Sequence, residues 1–384
     1  MRVLVARWLL PLVLAACTAA PVVLPTPTPT REPGVLQVSV LLDLSGSRAP
    51  SGQAQRNAMQ LWVDQARPSA LKMRVKFVDV AGSDTKLLLE LKRAIVDDRA
   101  DAIVVGAPMP ADGPLMDAVA LGETPVLLTL PIADPVGASG GFAFALAPAP
   151  SLVATAIVND LVDRSLLQPM LLAGDETPPS VGERASFVAE LKRHTVTPPG
   201  AVSLDAPDAA QRVRAAAAFA KSVVLTGASA PYGDVIRAIP VAVGAPVVYL
   251  SYLTETADVT NLRDQSALVT WPGSRALAST TSPSAPPPFV QRFTDRYGAP
   301  STIAATAYDA LALIDDAASA APGDVGGARL RQRLEATTFA GVVTRYSFTA
   351  VRHLGFAAAD LALLRWNSQT ARAFVPARAG ETER

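Results

Sequence analysis

Residues 36–52 read Leu-Gln-Val-Ser-Val-Leu-Leu-Asp-Leu-Ser-Gly-Ser-Arg-Ala-Pro-Ser-Gly, and this stretch decides the fold. Its first seven residues alternate and then run apolar, which predicts a strand that enters a buried sheet. Apolar residues at helical spacing follow and predict a helix over residues 53–66. The stretch is therefore interpreted as strand, loop and helix, the opening of a βαβ unit.

The same alternation of strands and helices continues to the end of the chain. Strands are predicted at 36–42, 75–80, 102–106, 125–130, 169–173, 201–204, 222–226, 246–250, 267–271, and near 342–348 and 360–366. Helices are predicted at 53–66, 84–98 (capped by Asp84), 113–121, 150–165, 181–194, 208–220 (capped by Asp208), 232–239, 288–297, 301–319 and 326–337. Repeated βαβ units predict an α/β fold with parallel sheets, and this length exceeds one core, so two Rossmann-like lobes are expected.

The first residues have the layout of a secretory signal. Arg2 and Arg7 precede an apolar run over residues 8–14, and Leu14-Ala15-Ala16-Cys17 resembles the lipobox of bacterial lipoprotein precursors. Cys17 is the only cysteine, so we expect it to be lipidated and to anchor the protein to a membrane. The alternative is a plain secretory signal with an incidental cysteine. Residues 18–34 form a Pro/Thr-rich linker that would hold a folded body away from the membrane.

Composition narrows the classes of function. Formal net charge is zero, with 34 basic and 34 acidic residues, and this balance argues against a nucleic-acid partner. The chain has no nucleophile elbow, P-loop, HExxH or CxxC motif. His194 and His353 lack metal-ligand spacing and are interpreted as surface or cap residues. We therefore expect a protein that is not an enzyme and that has no metal and no cofactor.

Five sets of segments form recognisable motifs: Leu44–Gly52, Ala102–Gly106, Pro125–Pro135, Phe293–Gly298 with Ala304–Ala310, and Phe339–Gly341 with Tyr346–Phe348. Together they resemble one family, the branched-chain amino acid (Leu/Ile/Val-type) periplasmic substrate-binding proteins of ABC transporters. The first set is similar to the LSGxxAxxG loop of that family, and the fourth to its FxxRYG and AAxAYDA helices. The resemblance covers nearly all of residues 36–370.

The resemblance implies a type I periplasmic binding fold with a three-strand hinge. One lobe would comprise 35–147 and 274–332, and the other 148–273 and 333–384, after a signal peptide and lipidated cysteine at 1–17. It also implies an extracytoplasmic, lipid-anchored protein that holds a small-molecule ligand, amino-acid-like, in the crevice between the lobes. Its partners would be an ABC permease and, through the anchor, a membrane, with the outer membrane possible in a diderm host.

Eleven residues are expected to line that crevice. They are Ser45, Gly46, Arg48 and Ser51 in the first loop, Ala107, Met109, Thr129 and Asp134 on the first-lobe wall, and Glu176, Tyr252 and Glu255 in the second lobe. For the first loop an ordinary strand–helix turn, capped by Ser51 or Gly52, is the alternative.

The chain departs from the family at three places: residues 106–110 carry no hydroxyl, Asp134 stands near an expected threonine, and residues 174–182 replace a YGxG motif. A regulatory or scaffolding lipoprotein that no longer captures a solute therefore stays open as a second function.

Overall fold

The computed structural model describes residues 34–65, 71–227, 232–256, 268–278, 288–367 and 373–377. Its strands are β1 (Val35–Leu42), β2 (Lys72–Asp79), β3 (Ala102–Val105), β4 (Val126–Leu128), β5 (Ala143–Ala145), β6 (Met170–Gly174), β7 (Ala201–Ser203), β8 (Ser222–Thr226), β9 (Val247–Tyr249), β10 (Val269–Ser274), β11 (Thr338–Ala340), β12 (Arg345–Ser347), β13 (Leu361–Asn367) and β14 (Ala373–Pro376).

Helices lie between most of these strands. They are α1 (Ala49–Val63), α2 (Asp84–Val96), α3 (Pro114–Gly122), α4 (Pro150–Asp163), α5 (Pro178–Arg193), α6 (Ala209–Ala217), α7 (Tyr232–Arg237), α8 (Pro288–Tyr297), α9 (Thr302–Ser319) and α10 (Gly327–Ala336). Single 3-10 turns occur at Arg275–Leu277 and Ala358–Asp360. Within the described ranges, no helix has both the length and the apolar character that a membrane span requires.

The first sheet has the strand order β2-β1-β3-β4-β5, and all of its pairs are parallel. Strand β1 lies between β2 and β3 and is almost wholly buried, as its apolar sequence predicts. Helices α1 and α9 pack against each other beside this sheet, and the buried residues Trp62, Ala307 and Leu311 belong to one apolar core. The predicted α/β fold with parallel sheets is confirmed.

The second sheet has the order β14-β13-β10-β9-β8-β6-β7. Strands β6 to β10 are parallel to one another, whereas β13 runs antiparallel to β10 and β14 antiparallel to β13. Trp271 of β10 and Leu364 of β13 pair directly, and both are fully buried. The end of the chain therefore completes a sheet that the middle of the chain begins.

A short hairpin of β11 and β12 is held to α9 by one carboxylate. Asp309 on α9 is buried and accepts hydrogen bonds from the backbone N–H groups of Val342 (2.7 Å) and Val343 (3.0 Å). It also accepts one from the hydroxyl of Tyr346 at 3.2 Å. Burial raises the pKa of Asp309 to about 7, although these three hydrogen bonds act in the opposite direction.

Helix starts and caps differ from the sequence predictions at several places, and α5 begins at Pro178 rather than at 181. Helix α1 begins at Ala49 rather than 53, because Pro50 in its first turn has the backbone angle a helix needs. Ser83, not Asp84, caps α2, and its hydroxyl accepts the N–H of Lys86. Asp208 occupies the position before α6, but its side chain makes no capping hydrogen bond.

Strands β5 and β14 are present although the sequence did not predict them. Both are short, and β5 lies at the edge of its sheet.

The interpretation of His353 as a surface residue was wrong, because its ring is fully buried. The ring stacks on Phe144 with 4.1 Å between centroids, and Nδ1 lies 2.8 Å from the carbonyl oxygen of Ala143. His194 does lie at the end of α5, at the C-cap.

Candidate functional site

Two groups of loops follow the carboxyl ends of parallel strands, the position at which open α/β sheets bind ligands. We call residues 43–52, 106–109 and 129–134 the first edge, since they follow β1, β3 and β4 of the first sheet. Residues 175–183, 226–227 and 250–255 form the second edge, after β6, β8 and β9. All eleven residues predicted to bind a ligand lie in one of these two edges.

Asp43 organises the loop after β1. It is almost fully buried, and its Oδ2 accepts a hydrogen bond from Nε of Arg48 at 2.7 Å within an ion pair. Its Oδ1 accepts the backbone N–H of Gly82 at 2.6 Å. Helix α1 approaches so closely that a β-carbon placed on Gly52 would lie 1.9 Å from the carbonyl oxygen of Asp43. The guanidinium of Arg48 is therefore paired with a carboxylate of the same loop.

Ser45 and Gly46 lie at the exposed tip of the same loop. The hydroxyl of Ser45 donates to Oδ2 of Asp79 at 2.6 Å, and the N–H of Leu44 donates to Oδ1 at 2.9 Å. Gly46 has a φ of +81°, a left-handed conformation that favours glycine, but no atom crowds it. Ser51 lies inside the first turn of α1, so it is neither in the loop nor at the N-cap.

Thr129 is buried at the centre of the first edge and is engaged internally. Its hydroxyl donates to Oε1 of Gln55 at 2.6 Å, and Nε2 of Gln55 donates to the carbonyl oxygen of Gly106 at 2.9 Å. Gln55 on α1 is itself fully buried. This chain of hydrogen bonds joins β3, β4 and α1, and it uses the hydroxyl that the sequence assigned to a ligand.

The loops after β3 and β4 are otherwise apolar or solvent-exposed. Ala107 is buried, and Met109 packs against the apolar cluster on the far side of the sheet. Asp134 is exposed, and its Oδ1 accepts the N–H groups of Val136 and His353, both at 3.2 Å. Asp134 therefore connects the first edge to the segment after β12.

The second edge begins with a buried carboxylate. Asp175 directly follows β6 and is fully buried; its Oδ1 accepts the N–H (3.1 Å) and the hydroxyl (2.5 Å) of Thr177. Its Oδ2 is buried and makes no hydrogen bond within the described residues. The neighbouring Glu176 is exposed and pairs with Nη2 of Arg184 at 3.0 Å.

A second buried carboxylate, Glu183, reaches this edge from α5. Its Oε2 accepts the N–H of Gly227 at 2.9 Å, and the hydroxyl of Ser251 lies 2.8 and 2.7 Å from its two oxygens. Burial raises the pKa of Glu183 to about 7; the charge of Asp175 adds to the rise, whereas the bonds from Gly227 and Ser251 oppose it.

Two buried tyrosines lie in or next to the second edge. Tyr252 and Glu255 follow β9 and are both buried. Burial raises the pKa of Tyr252, which Thr306 on α9 partly offsets. Tyr232 donates its hydroxyl to the carbonyl of Thr226, and burial raises its pKa as well.

Sequence reasoning missed Asp43, Gln55, Asp175 and Glu183. A pattern could have found the last of these, because Ser180, Glu183, Phe187 and Leu191 are spaced as the buried stripe of a helix, and a glutamate interrupts it. Asp43 and Asp175 each stand directly after a buried strand, the position at which polar side chains reach a sheet edge. No comparable sequence pattern distinguishes Gln55 from the other residues of its helix.

The predictions about metal ligation and lipidation concern different parts of the chain. Across the ranges the structure describes, no three His, Cys, Asp or Glu side chains gather in a way that could hold a metal ion. Cys17, predicted to be lipidated, lies outside the described residues.

A family model described as periplasmic binding protein matches residues 35–371. The chain belongs to the periplasmic binding protein family. This family consists of receptors that bind small-molecule solutes outside the cytoplasm and typically work with ABC transporters. The resemblance to branched-chain amino acid binding proteins and the type I periplasmic binding fold are thereby confirmed.

Solved periplasmic binding proteins share this fold at low sequence identity. One is a branched-chain amino acid transporter substrate-binding protein, LivJ, from Streptococcus pneumoniae in complex with isoleucine (18% identity, 89% of this chain and 100% of that chain, TM-score 0.69). Another is a solute-binding protein of an ABC transporter from Rhodopseudomonas palustris BisB5 in complex with 3,4-dihydroxybenzoic acid (15% identity, 90% of this chain and 97% of that chain, TM-score 0.72). A third is a possible leucine/isoleucine/valine-binding protein from Rhodopirellula baltica SH 1 (14% identity, 93% of this chain and 99% of that chain, TM-score 0.74). A search of curated proteins gave no match.

Proposed function

We propose that this periplasmic binding protein is the lipid-anchored solute receptor of an ABC importer and captures an amino acid or a related small molecule between two lobes. The observation that carries the proposal is the pair of edges, each formed where parallel strands of one sheet end. Relatives of the same fold carry isoleucine and 3,4-dihydroxybenzoic acid, so small organic molecules of both kinds are candidates.

The lobes proposed from the sequence are 35–147 with 274–332, and 148–273 with 333–384. Two sheets support this division, since β1–β5 and β6–β10 are separate and β13 returns to the second sheet. The chain would then cross between lobes near 147, 273 and 335. Two contacts favour a later third crossing, after residue 355. Asp309 fastens the β11–β12 hairpin to α9, and the N–H of Gly355 donates to the carbonyl oxygen of Ala145 on β5, so both segments contact the first lobe.

Ser45→Trp is expected to abolish stabilisation by ligand while leaving the unliganded protein folded. Ser45 is exposed at the tip of the first edge, so an indole there obstructs the edge without disturbing the core. The measurement is a thermal-shift screen with amino acids, amides, short peptides and aromatic acids, followed by calorimetric titration of whatever stabilises the protein.

The matched control is Ser347→Trp, at a serine that is also exposed but lies on β12, in neither edge. It should keep the affinity of the parent protein. If Ser45→Trp binds the identified solute as tightly as Ser347→Trp does, the assignment of the first edge to the solute is wrong.

A regulatory or scaffolding role is the second candidate, and one observation favours it. Side chains of the first edge that could hold a polar solute are bonded within the protein: Thr129 to Gln55, Arg48 to Asp43, and Ser45 to Asp79. A solute-binding lobe needs free donors and acceptors for a polar ligand, because unpaired buried polar groups are costly. If no compound in the screen stabilises the protein, this second function becomes the better one.

Anchoring through Cys17 is the remaining element of the proposal. The Leu14-Ala15-Ala16-Cys17 stretch and the Pro/Thr-rich linker at 18–34 support it. Cys17→Ser should abolish incorporation of a fatty-acid probe, since the sole thiol of the chain is removed, and should release the protein from membranes or leave it unprocessed. Probe incorporation equal to that of the parent protein would show that the anchor is elsewhere.

A further inference from the structure

A buried histidine lies where the end of β5 meets the segment after β12 (residues 348–355). The ring of His353 is fully buried, and Nδ1 lies 2.8 Å from the carbonyl oxygen of Ala143. Because a carbonyl oxygen can only accept, Nδ1 carries a proton and donates it. The other ring nitrogen, Nε2, is also buried and has no aligned hydrogen-bond partner among the described residues. Oε1 of Glu335 on α10 lies 3.4 Å from it, at ion-pair distance.

The two protonation states of this ring differ in what Nε2 presents to Glu335. In the neutral ring Nδ1 keeps the proton, so the lone pair of Nε2 faces a carboxylate and two buried acceptors oppose each other. In the imidazolium, Nε2 carries a proton and forms an ion pair with Glu335. The ring also stacks on Phe144, with 4.1 Å between centroids, and an aromatic face attracts a cation. Burial opposes the charge, whereas both of these contacts favour it.

Two carboxylates and one guanidinium face His353 from the elements packed against it. Glu335 and Arg331 lie on α10 and form an ion pair of 2.9 Å. Asp134, in the loop after β4, accepts the backbone N–H of His353 at 3.2 Å. From β5 and from the end of β12 the ring meets aromatic side chains, Phe348 among them. The carboxylates outnumber the cation, so the surrounding charge favours a proton on Nε2.

This ring lies beside two of the crossings between the proposed lobes. The N–H of Ala145 on β5 donates to the carbonyl oxygen of His353 at 2.8 Å, and the N–H of Gly355 donates to the carbonyl oxygen of Ala145 at 2.9 Å. The chain would cross shortly after each of these two segments. Helix α10 is joined to the same place, because Nη1 of Arg331 donates to the carbonyl oxygen of Gly140 at 3.2 Å.

We propose that His353 is a proton-dependent clamp at the start of two crossings between the lobes. When Nε2 is protonated, its ion pair with Glu335 fastens the segment after β12 to α10. When this proton is lost, the segment keeps its backbone hydrogen bonds to Ala145 and loses the charged contact. Lower pH therefore strengthens the joint from which the crossings leave, and higher pH loosens it. The part played by the crossings rests on the proposed division into lobes, whereas the ion pair does not.

Nuclear magnetic resonance of the imidazole nitrogens tests the proton directly. The chain has two histidines, so His353 gives the only imidazole signals in the His194→Gln variant. His194 lies at the C-cap of α5 and has a side chain that is 33% exposed, so its replacement leaves the clamp unchanged. We expect both nitrogens of His353 to be protonated at pH 6 and Nε2, not Nδ1, to lose its proton as the pH is raised. A neutral ring at pH 6, or proton loss from Nδ1, would overturn the clamp.

Urea denaturation at pH 6 and pH 8 measures what this proton contributes. A proton that the folded state holds more tightly than the unfolded state adds stability at low pH, and that stability is lost as the pH rises. Relative to His353→Phe, the unfolding equilibrium constant of the parent protein should therefore fall about tenfold from pH 8 to pH 6. Asp309 and Glu183 titrate in the same range, but they are common to both proteins and cancel in the comparison.

Glu335→Gln is the second variant, because glutamine keeps an oxygen that can accept from Arg331 but carries no charge. It should lose most of the tenfold change, whereas His194→Gln, the matched control, should keep all of it. The clamp is overturned if the parent and His353→Phe differ equally at pH 6 and pH 8, or if Glu335→Gln keeps the full change. Should His353→Phe not fold, the comparison of the parent with Glu335→Gln decides alone.

Discussion

Gly52→Ala is expected to lower the free energy of unfolding by roughly 3 kcal/mol. The new β-carbon would lie 1.9 Å from the carbonyl oxygen of Asp43 and 2.5 Å from its carbonyl carbon, and these are backbone atoms that no rotamer change can move. Relief requires α1 to move away from the end of β1, which breaks the closest contact of the first edge. Denaturation in urea, followed by circular dichroism, measures the loss.

Gly182→Ala is the matched control for this substitution. Gly182 also lies within a helix, α5, but has no atom within 4 Å of the added carbon. Alanine is the better helix former, so the control should gain up to about 1 kcal/mol. Helix propensity alone would give Gly52→Ala the same gain, and equal gains in the two variants would show that α1 is not fixed against Asp43.

Glu183→Gln is expected to stabilise the unliganded protein at pH 8 by about 3 kcal/mol. The pKa of Glu183 rises from 4.5 to about 7 on folding, so between these values the folded state binds more protons than the unfolded state. Stability therefore falls as pH rises through this window and stays reduced above it. Glutamine is neutral at every pH and avoids this cost.

The measurement compares urea denaturation of the two proteins from pH 4 to pH 8. Near pH 4 their free energies of unfolding should agree, and the difference should grow between pH 4.5 and pH 7. Asp309 titrates in an overlapping range, but it is common to both proteins and cancels in the difference. A constant difference across the whole range would mean that Glu183 does not change its protonation on folding.

The sequence predicted the architecture well because the pattern that specifies it is local. Strand β1 and the loop after it are visible as an apolar run followed by glycines and serines, and the same holds for β8. Strand β5 was missed because three residues carry too little pattern. The capping of α2 by Ser83 instead of Asp84 is the one-residue uncertainty typical of helix ends.

The site could be placed from the sequence but not resolved in its contacts. Position after a strand locates Thr129, Asp134 and Glu176 at sheet edges, yet hydrogen-bond partners come from distant segments. Thr129 meets Gln55, which is 74 residues away, and Asp134 meets His353, which is 219 residues away. Such pairings depend on how α1 and the segment after β12 pack, and spacing along the chain contains no information on that.

The place of β13 in the second sheet bears on how the protein is made. Ribosomes synthesise β6 to β10 well before β13, yet β10 lies between β9 and β13 and buries Trp271 against Leu364. One flank of β10 is therefore exposed until almost the whole polypeptide has emerged. Sheets closed by such distant partners form slowly. For a protein of an extracytoplasmic family, we expect this delay to lengthen the interval in which the chain is still unfolded and can be exported.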